Sequence, residues 1–159
     1  MKRTLDLSQN AGSERGAGNV RRFGDGLTRH MEQVTGIGGV FFRARDPQAL
    51  AHWYRDNLGV GLVPANNHEQ PWHQEAGPTV FAPFPESTDY FGADSGKLWM
   101  MNFRVRSLDA MVAQLLAAGV PVEFDPQPYP NGRFARLYDP EGNPMELWEP
   151  AGRDAPPQS

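Results

Sequence analysis

Hydrophobic and polar residues alternate over residues 39–46 (GVFFRARD), with the period of two that is typical of a β-strand. Asp46 and Pro47 follow, and they suit the N-cap and the first position of a helix. Four apolar residues then recur at helical spacing: Leu50, Trp53, Tyr54 and Leu58. Gly59 comes next and can adopt the left-handed conformation that ends many helices. This pattern predicts a strand followed by a helix.

The same order of signals recurs about 60 residues later in the chain. Residues 100–105 (MMNFRV) predict a second strand, and Ser107 is a candidate N-cap for a second helix. The predicted apolar face of that helix comprises Leu108, Met111, Leu115 and Ala118. Gly119 ends it, 60 residues after Gly59. The sequence therefore contains an internal repeat.

Each predicted helix is followed by a stretch with strand and turn signals but no helical period, at residues 60–84 and 120–149. Each copy of the repeat thus predicts one strand, one helix and about three more strands. A module of roughly 60 residues has little core for its surface. We expect the two copies to pack together, or to pair with another chain, in order to close the sheet.

The composition fits one globular domain, because 159 residues with 39% apolar and 21% charged content can bury a core. The chain has no run of eighteen apolar residues and no apolar segment typical of a secretory signal, so we expect a cytoplasmic protein without a membrane partner. It also has no cysteine, which excludes disulfides and thiolate metal sites.

Charge and composition define the boundaries of the predicted domain. Residues 1–34 carry six Lys or Arg against four Asp or Glu and lack apolar periodicity, so we expect a disordered leader, and Met31 could be the true start. Residues 35–150 carry eight basic against fourteen acidic residues, which argues against a nucleic-acid partner. They form the predicted domain, with modules at 35–92 and 96–150, and residues 151–159 are a predicted disordered tail.

Two stretches of the sequence resemble a known family. GIGGVFFRARDPQALAHWYRDNLGV resembles the opening, and GRFARLYDPEGNPMELWEP the closing hairpin, of the vicinal oxygen chelate superfamily of glyoxalases and bleomycin-resistance proteins. The resemblance covers residues 35–150. It implies an α+β fold in which two βαβββ modules form a curved mixed sheet around a funnel, and it implies a homodimer. The superfamily includes lyases, isomerases, dioxygenases and proteins that only sequester a drug.

In the metal-dependent members of this superfamily, one side chain from the first and last strand of each module holds a divalent ion. The matching positions here are Gly39, about Val80, Met100 and Glu146. Only Glu146 offers an oxygen ligand, so we expect no metal cofactor and no metal-dependent dioxygenase. His73 and Glu75 could replace the lost ligands and join Glu146, but the stretch that contains them is typical of an exposed loop.

Glu146 has two interpretations. If residues 139–143 form the turn of the last hairpin, Arg136 lies directly across from Glu146, and the pair could be a structural or ligand-orienting salt bridge. Alternatively, Glu146 could act directly as a catalytic group.

The parity of the predicted strands assigns further side chains to the funnel. Glu146 shares this face with the residues predicted to bind a ligand: Phe41, Arg43, Met100, Asn102, Arg104, Arg136 and Trp148. Arg43 and Arg104 occupy equivalent repeat positions and suit an anionic ligand, or they pair with surface acids. Several aromatic residues could cover the funnel or pack in a core: Trp72, Phe81, Phe84, Tyr90, Phe91 and Trp99.

Three functional hypotheses follow. In the first, a glyoxalase-like lyase or isomerase uses Glu146 as general base on an acidic C–H, and Arg43 or Arg104 stabilises the enolate. In the second, a metal-free protein binds or sequesters a planar small molecule between Trp148 and Phe41. The third, an interaction module without a ligand, leaves the polar residues of an enclosed face unexplained.

Overall fold

The computed structural model describes residues 32–92 and 96–155. The chain divides into two units, residues 1–40 and residues 41–159. Within the first unit, residues 32–40 form no helix or strand and have exposed side chains. The predicted disordered leader falls almost entirely on residues 1–31, which lie outside the described residues.

The first predicted helix is present as α1, Pro47–Leu58, and its signals act as the sequence indicates. The Asp46 side chain accepts a hydrogen bond from the Ala49 N–H at 3.0 Å, and Gly59 closes the helix with a φ of +70°. The carboxylate of Glu141 accepts from the backbone N–H groups of Arg45 and Asp46, at 2.8 and 2.9 Å. These two hydrogen bonds tie the start of α1 to the last turn of the sheet.

The second unit contains, besides α1, a complete βαβββ module. Its elements are β1 Met101–Arg104, α2 Leu108–Ala117, β2 Val122–Phe124, β3 Gly132–Tyr138 and β4 Pro144–Pro150. The sheet order is β1-β4-β3-β2, with β1 parallel to β4 and the other pairs antiparallel. The predicted α+β class and the second predicted module are therefore present. A short 3-10 helix, Gly152–Asp154, lies in the described part of the predicted tail.

The strands predicted around α1 are not formed in the described residues, which corrects the reading of residues 39–46 and 60–84 as strands. An extended segment becomes a strand only when its N–H and C=O groups pair with a neighbouring segment. Backbone hydrogen bonds in this region close local turns, such as Glu69 N–H to Asn66 C=O and Thr88 N–H to Pro85 C=O. The alternation of apolar and polar residues in a segment does not show which other segment it pairs with.

The core lies between the sheet and the two helices. Its fully or nearly fully buried members are Leu50, Tyr54, Leu108, Leu115, Leu137, Met145 and Leu147. Met101, Phe103 and Val105 alternate along the chain and pack against this core. Glu146 and Trp148 lie on the other face of β4 and are nevertheless buried, at 7% and 3% exposure. Both faces of β4 are therefore covered.

The turn between β3 and β4 sets the register of the site. One carboxylate oxygen of Asp139 accepts from the backbone N–H groups of Glu141 and Asn143, at 2.8 and 2.9 Å. Gly142 takes a φ of +75°, which strains residues with a side chain. The result places Arg136 directly opposite Glu146, as predicted for a turn at residues 139–143.

Among the residues that the structure describes, no helix has the length and apolar character needed to cross a bilayer.

Candidate functional site

Strand register brings three polar residues into one row across the sheet. Asn102 on β1 and Arg136 on β3 both stand opposite Glu146, which lies on the strand between them. Directly opposed residues of neighbouring strands project to the same face. Glu123 on β2 extends the row beyond Arg136 and has an exposed side chain.

Both oxygens of the Glu146 carboxylate accept hydrogen bonds. The hydroxyl of Tyr90 donates to Oε1 at 2.7 Å, and Nδ2 of Asn102 donates to Oε2 at 2.8 Å. We refer to Glu146, Arg136, Tyr90 and Asn102 as the Glu146 centre. These contacts hold the carboxylate in one orientation.

Arg136 is the cation of the Glu146 centre and is only 7% exposed. Its Nη2 lies 3.9 Å from Oε1 of Glu146, which is an ion pair but is too long for a hydrogen bond. Neither Nε nor Nη2 of Arg136 has a hydrogen-bond partner within the described residues. Arg136 therefore has two buried donor atoms without a hydrogen-bonded acceptor among the described residues.

Tyr90 connects the two charged groups and is part of an aromatic cluster. Its ring lies under the Arg136 guanidinium, with 4.6 Å between the central carbon and the ring centroid. Phe84 stacks on this ring at 5.1 Å, and Phe91 meets it edge-on at 6.2 Å. Burial raises the pKa of the Tyr90 hydroxyl, and the charge and hydrogen bond of Glu146 raise it further, while Arg136 acts in the opposite sense. Tyr90 is therefore a protonated donor at neutral pH.

The sequence placed Tyr90 only among residues that could cover the funnel. The stretch that contains it has no period, and 56 residues separate it from Glu146. No local signal in the sequence could have indicated that its hydroxyl contacts this carboxylate.

Two predicted ligand-binding residues have other partners in the structure. The indole N–H of Trp148 donates to the Asn131 carbonyl at 2.8 Å, and its ring lies parallel to that of Phe134 at 6.2 Å. Arg104 donates from Nη2 to the Glu75 carbonyl at 2.8 Å. Both side chains hold parts of the protein together here, and a role for them in ligand binding stays a prediction.

Three further predicted ligand-binding residues lie outside the strands. Phe41 is 95% exposed, and Arg43 is exposed as well. Met100 is half-buried and directly precedes β1. Their roles in ligand binding also stay predictions.

The alternative metal ligands are not assembled. His73 and Glu75 are exposed, and the Glu75 carboxylate pairs with Arg106. Across residues 32–92 and 96–155, no three His, Asp or Glu side chains come close enough together to hold a metal ion. The set of His73, Glu75 and Glu146 is therefore not brought together.

A cleft lies away from the Glu146 centre, near the start of the β3–β4 turn. It has a volume of about 340 Å³ and includes Trp53, Val120, Pro121, Tyr138 and Pro140 in its walls. Asp139 also borders it, and this carboxylate already accepts a hydrogen bond from the Tyr54 hydroxyl at 2.9 Å.

Comparison with known proteins gives a family match. Residues 39–148 match the family model described as the glyoxalase-like domain. This match confirms the resemblance to the vicinal oxygen chelate superfamily and the glyoxalase/bleomycin resistance fold. No curated protein matches the chain.

Among solved structures, the chain is similar to a glyoxalase family protein from Bacillus anthracis, with 26% identity, 33% of this chain and 43% of that chain covered, and a TM-score of 0.31. A glyoxalase/bleomycin resistance protein from Streptomyces sp. CB03234 is 37% identical over 31% of this chain and 42% of its own, with a TM-score of 0.29. An antibiotic-binding protein from the same organism is 23% identical over 67% of this chain and 88% of its own, with a TM-score of 0.41. The chain spans less than half the length of the first two.

Proposed function

The chain belongs to the glyoxalase-like domain family, and we propose that it binds a small organic molecule at the Glu146 centre without a resident divalent metal. The observation that supports this proposal is the environment of the Glu146 carboxylate. Its two oxygens accept from Tyr90 and Asn102, and the Arg136 guanidinium balances its charge.

The combination of groups at this centre suits a ligand-binding pocket. Aromatic walls with a few converging polar groups are typical of sites for small organic molecules. Burying a polar group without a partner costs about 1–3 kcal/mol. Apolar residues of similar size in this row would give the fold at least the same stability, so stability alone does not explain the polar ones.

The residues at the centre do not fit a divalent cation. Of the four positions that the family uses, Gly39, Val80 and Met100 offer no oxygen or nitrogen side chain. At the fourth position, Arg136 already supplies a positive charge 3.9 Å from the Glu146 carboxylate, and it would repel a metal ion there.

The binding proposal is tested with the purified full chain after dialysis against EDTA. We expect well below a stoichiometric amount of zinc, nickel or iron in elemental analysis. In ¹H–¹⁵N NMR, uncharged and charged organic fragments should shift signals of Asn102, Arg136 and Glu146 and leave exposed Leu116 on α2 unchanged. A stoichiometric metal whose removal abolishes fragment binding would contradict the proposal.

A second candidate function is proton abstraction by a lyase or isomerase. The observation that favours it is a buried carboxylate with a fixed orientation, next to a cation and a protonated hydroxyl. Glu146 would accept a proton from a carbon next to a carbonyl group, and the negative charge would move to the carbonyl oxygen. We assign the stabilisation of that oxygen to Arg136, whose guanidinium is 3.9 Å from Glu146, in place of Arg43 or Arg104.

Hydrogen–deuterium exchange distinguishes catalysis from binding alone. Acetophenone in D₂O reports proton abstraction by loss of its methyl ¹H signal. If Glu146 is a base, Glu146→Gln lowers the exchange rate by at least about 10²-fold while the affinity for acetophenone is kept. The matched control is Glu86→Gln, which alters an exposed carboxylate in the segment before Tyr90. Exchange at the buffer rate with the unaltered protein would leave binding or sequestering as the function.

A further inference from the structure

The two unpartnered nitrogens of Arg136 form one edge of its guanidinium group. Nε and the outer Nη2 each carry an N–H that points to the same side of the planar group, so one acceptor group can receive both. Arg136 is 93% buried, and neither atom has a hydrogen-bond partner among the described residues. Buried donors in native proteins are nearly always paired, so this edge calls for an oxygen acceptor.

Glu146 does not fill this role. Its nearest approach to Arg136 is 3.9 Å, and its two oxygens already accept from Tyr90 and Asn102. The carboxylate therefore balances the charge of Arg136 and leaves the N–H groups of the Nε–Nη2 edge available.

Charge balance decides which kind of acceptor fits. The buried centre holds one guanidinium and one carboxylate, whose charges balance. An anionic ligand would place another negative charge beside Glu146, in surroundings that screen it poorly. A neutral carbonyl oxygen accepts two hydrogen bonds and adds no charge.

We infer that the Nε–Nη2 edge of Arg136 binds the oxygen of an uncharged carbonyl compound, such as a ketone, ester or amide, in preference to a carboxylate or phosphate. This inference rests on the proposed function and names its ligand class. It differs from the usual expectation that a buried arginine in a pocket selects an anion.

Tyr90 packs against the guanidinium group that carries this edge. Its ring lies on the guanidinium and covers part of it. The backbone N–H groups of Thr88, Tyr90 and Gly92 donate to acceptors within residues 85–89, so these hydrogen bonds do not join the segment to the sheet. A shift of the Tyr90 ring would break the hydrogen bond from its hydroxyl to Glu146, but that bond is not part of the strand pairing of β3 and β4. An aromatic ligand could replace the contact of the Tyr90 ring with Arg136.

Three fragments of the same shape separate the possible acceptors. Acetophenone has a neutral carbonyl, benzoate has a carboxylate, and α-methylstyrene has no acceptor. We expect acetophenone to bind the unaltered protein at least about 10-fold more tightly than either of the others. It should also shift the Nε–H signal of Arg136, which is assigned by its loss in Arg136→Lys and its retention in Arg133→Lys.

Glu146→Gln tests the charge argument directly. Removing the carboxylate charge should reduce the preference for acetophenone over benzoate by at least about 10-fold, because benzoate no longer meets a neighbouring anion. Glu86→Gln should leave the preference unchanged. If Glu146→Gln fails to fold, the comparison of fragments on the unaltered protein still decides.

Each other outcome overturns the inference in a recognisable way. Benzoate binding as tightly as acetophenone shows that the centre selects anions or ignores charge, and the proposed function stands. Equal binding of α-methylstyrene, or an unmoved Arg136 Nε–H signal, shows that the edge does not recognise oxygen. If fragments of every class leave the signals of Asn102, Arg136 and Glu146 unchanged, the proposed function itself is wrong.

Discussion

Tyr90 joins the two charged groups of the Glu146 centre, since its hydroxyl donates to the carboxylate and its ring contacts the guanidinium. Each of these contacts is made in partly buried surroundings, where a lost hydrogen bond leaves an acceptor short of a donor. The properties of the centre therefore depend on a residue that lies outside every helix and strand.

Replacing Tyr90 with Phe should lower the free energy of unfolding by about 1–2 kcal/mol at neutral pH, because Oε1 of Glu146 loses its hydrogen-bond donor. The pKa of Tyr90 is raised in the folded protein, so its contribution is complete below pH 10 and is lost as the pH rises above that value. Urea unfolding from pH 7 to pH 11 should therefore show a gentler alkaline loss of stability in Tyr90→Phe than in the unaltered protein.

The matched control for this substitution is Tyr138→Phe, at a tyrosine that is 45% exposed. It should change neither the stability at pH 7 nor the alkaline slope. A Tyr90→Phe protein with unchanged stability would show that the hydroxyl contact is not energetically important. Some alkaline loss should remain in both variants, because burial and Asp139 also raise the pKa of Tyr54.

At the scale of elements, the parts that the sequence predicts correctly are those with local causes. Asp46 caps α1 and Ser107 caps α2, each through a hydrogen bond to a backbone N–H three residues later. The β3–β4 hairpin follows from its turn residues, and its register then brings Arg136 opposite Glu146. Arg136 and Glu146, two of the four residues of the Glu146 centre, could therefore be placed opposite each other from the hairpin alone.

The parts that the sequence misses have non-local causes. The capping of α2 also uses Glu149, whose carboxylate accepts from the Leu108 N–H at 2.6 Å across 41 residues. The contact of Tyr90 with Glu146 spans 56 residues. The prediction of strands at 39–46 and 60–84 was wrong for the same reason. The period of a strand does not identify the segment with which it pairs.

At the scale of the whole molecule, the described segments before α1 and between α1 and β1 leave large apolar side chains exposed. Phe41, Val63, Phe81 and Leu98 are each at least 87% exposed. Apolar groups of this size on the surface are typical of sites that contact another protein or a ligand. The homodimer implied by the family resemblance is an arrangement in which such residues could be covered.

We therefore predict that the protein is a homodimer in solution. Sedimentation or light scattering should give about twice the chain mass of 17.7 kDa. Phe81→Ser together with Val63→Ser should shift the equilibrium toward the monomer, because burial of each large apolar side chain contributes about 1.5–3 kcal/mol. Leu116→Ser is the matched control, since Leu116 is 55% exposed on α2. A dimer with unchanged affinity in the double variant would place the interface elsewhere, and a monomeric unaltered protein would contradict the prediction.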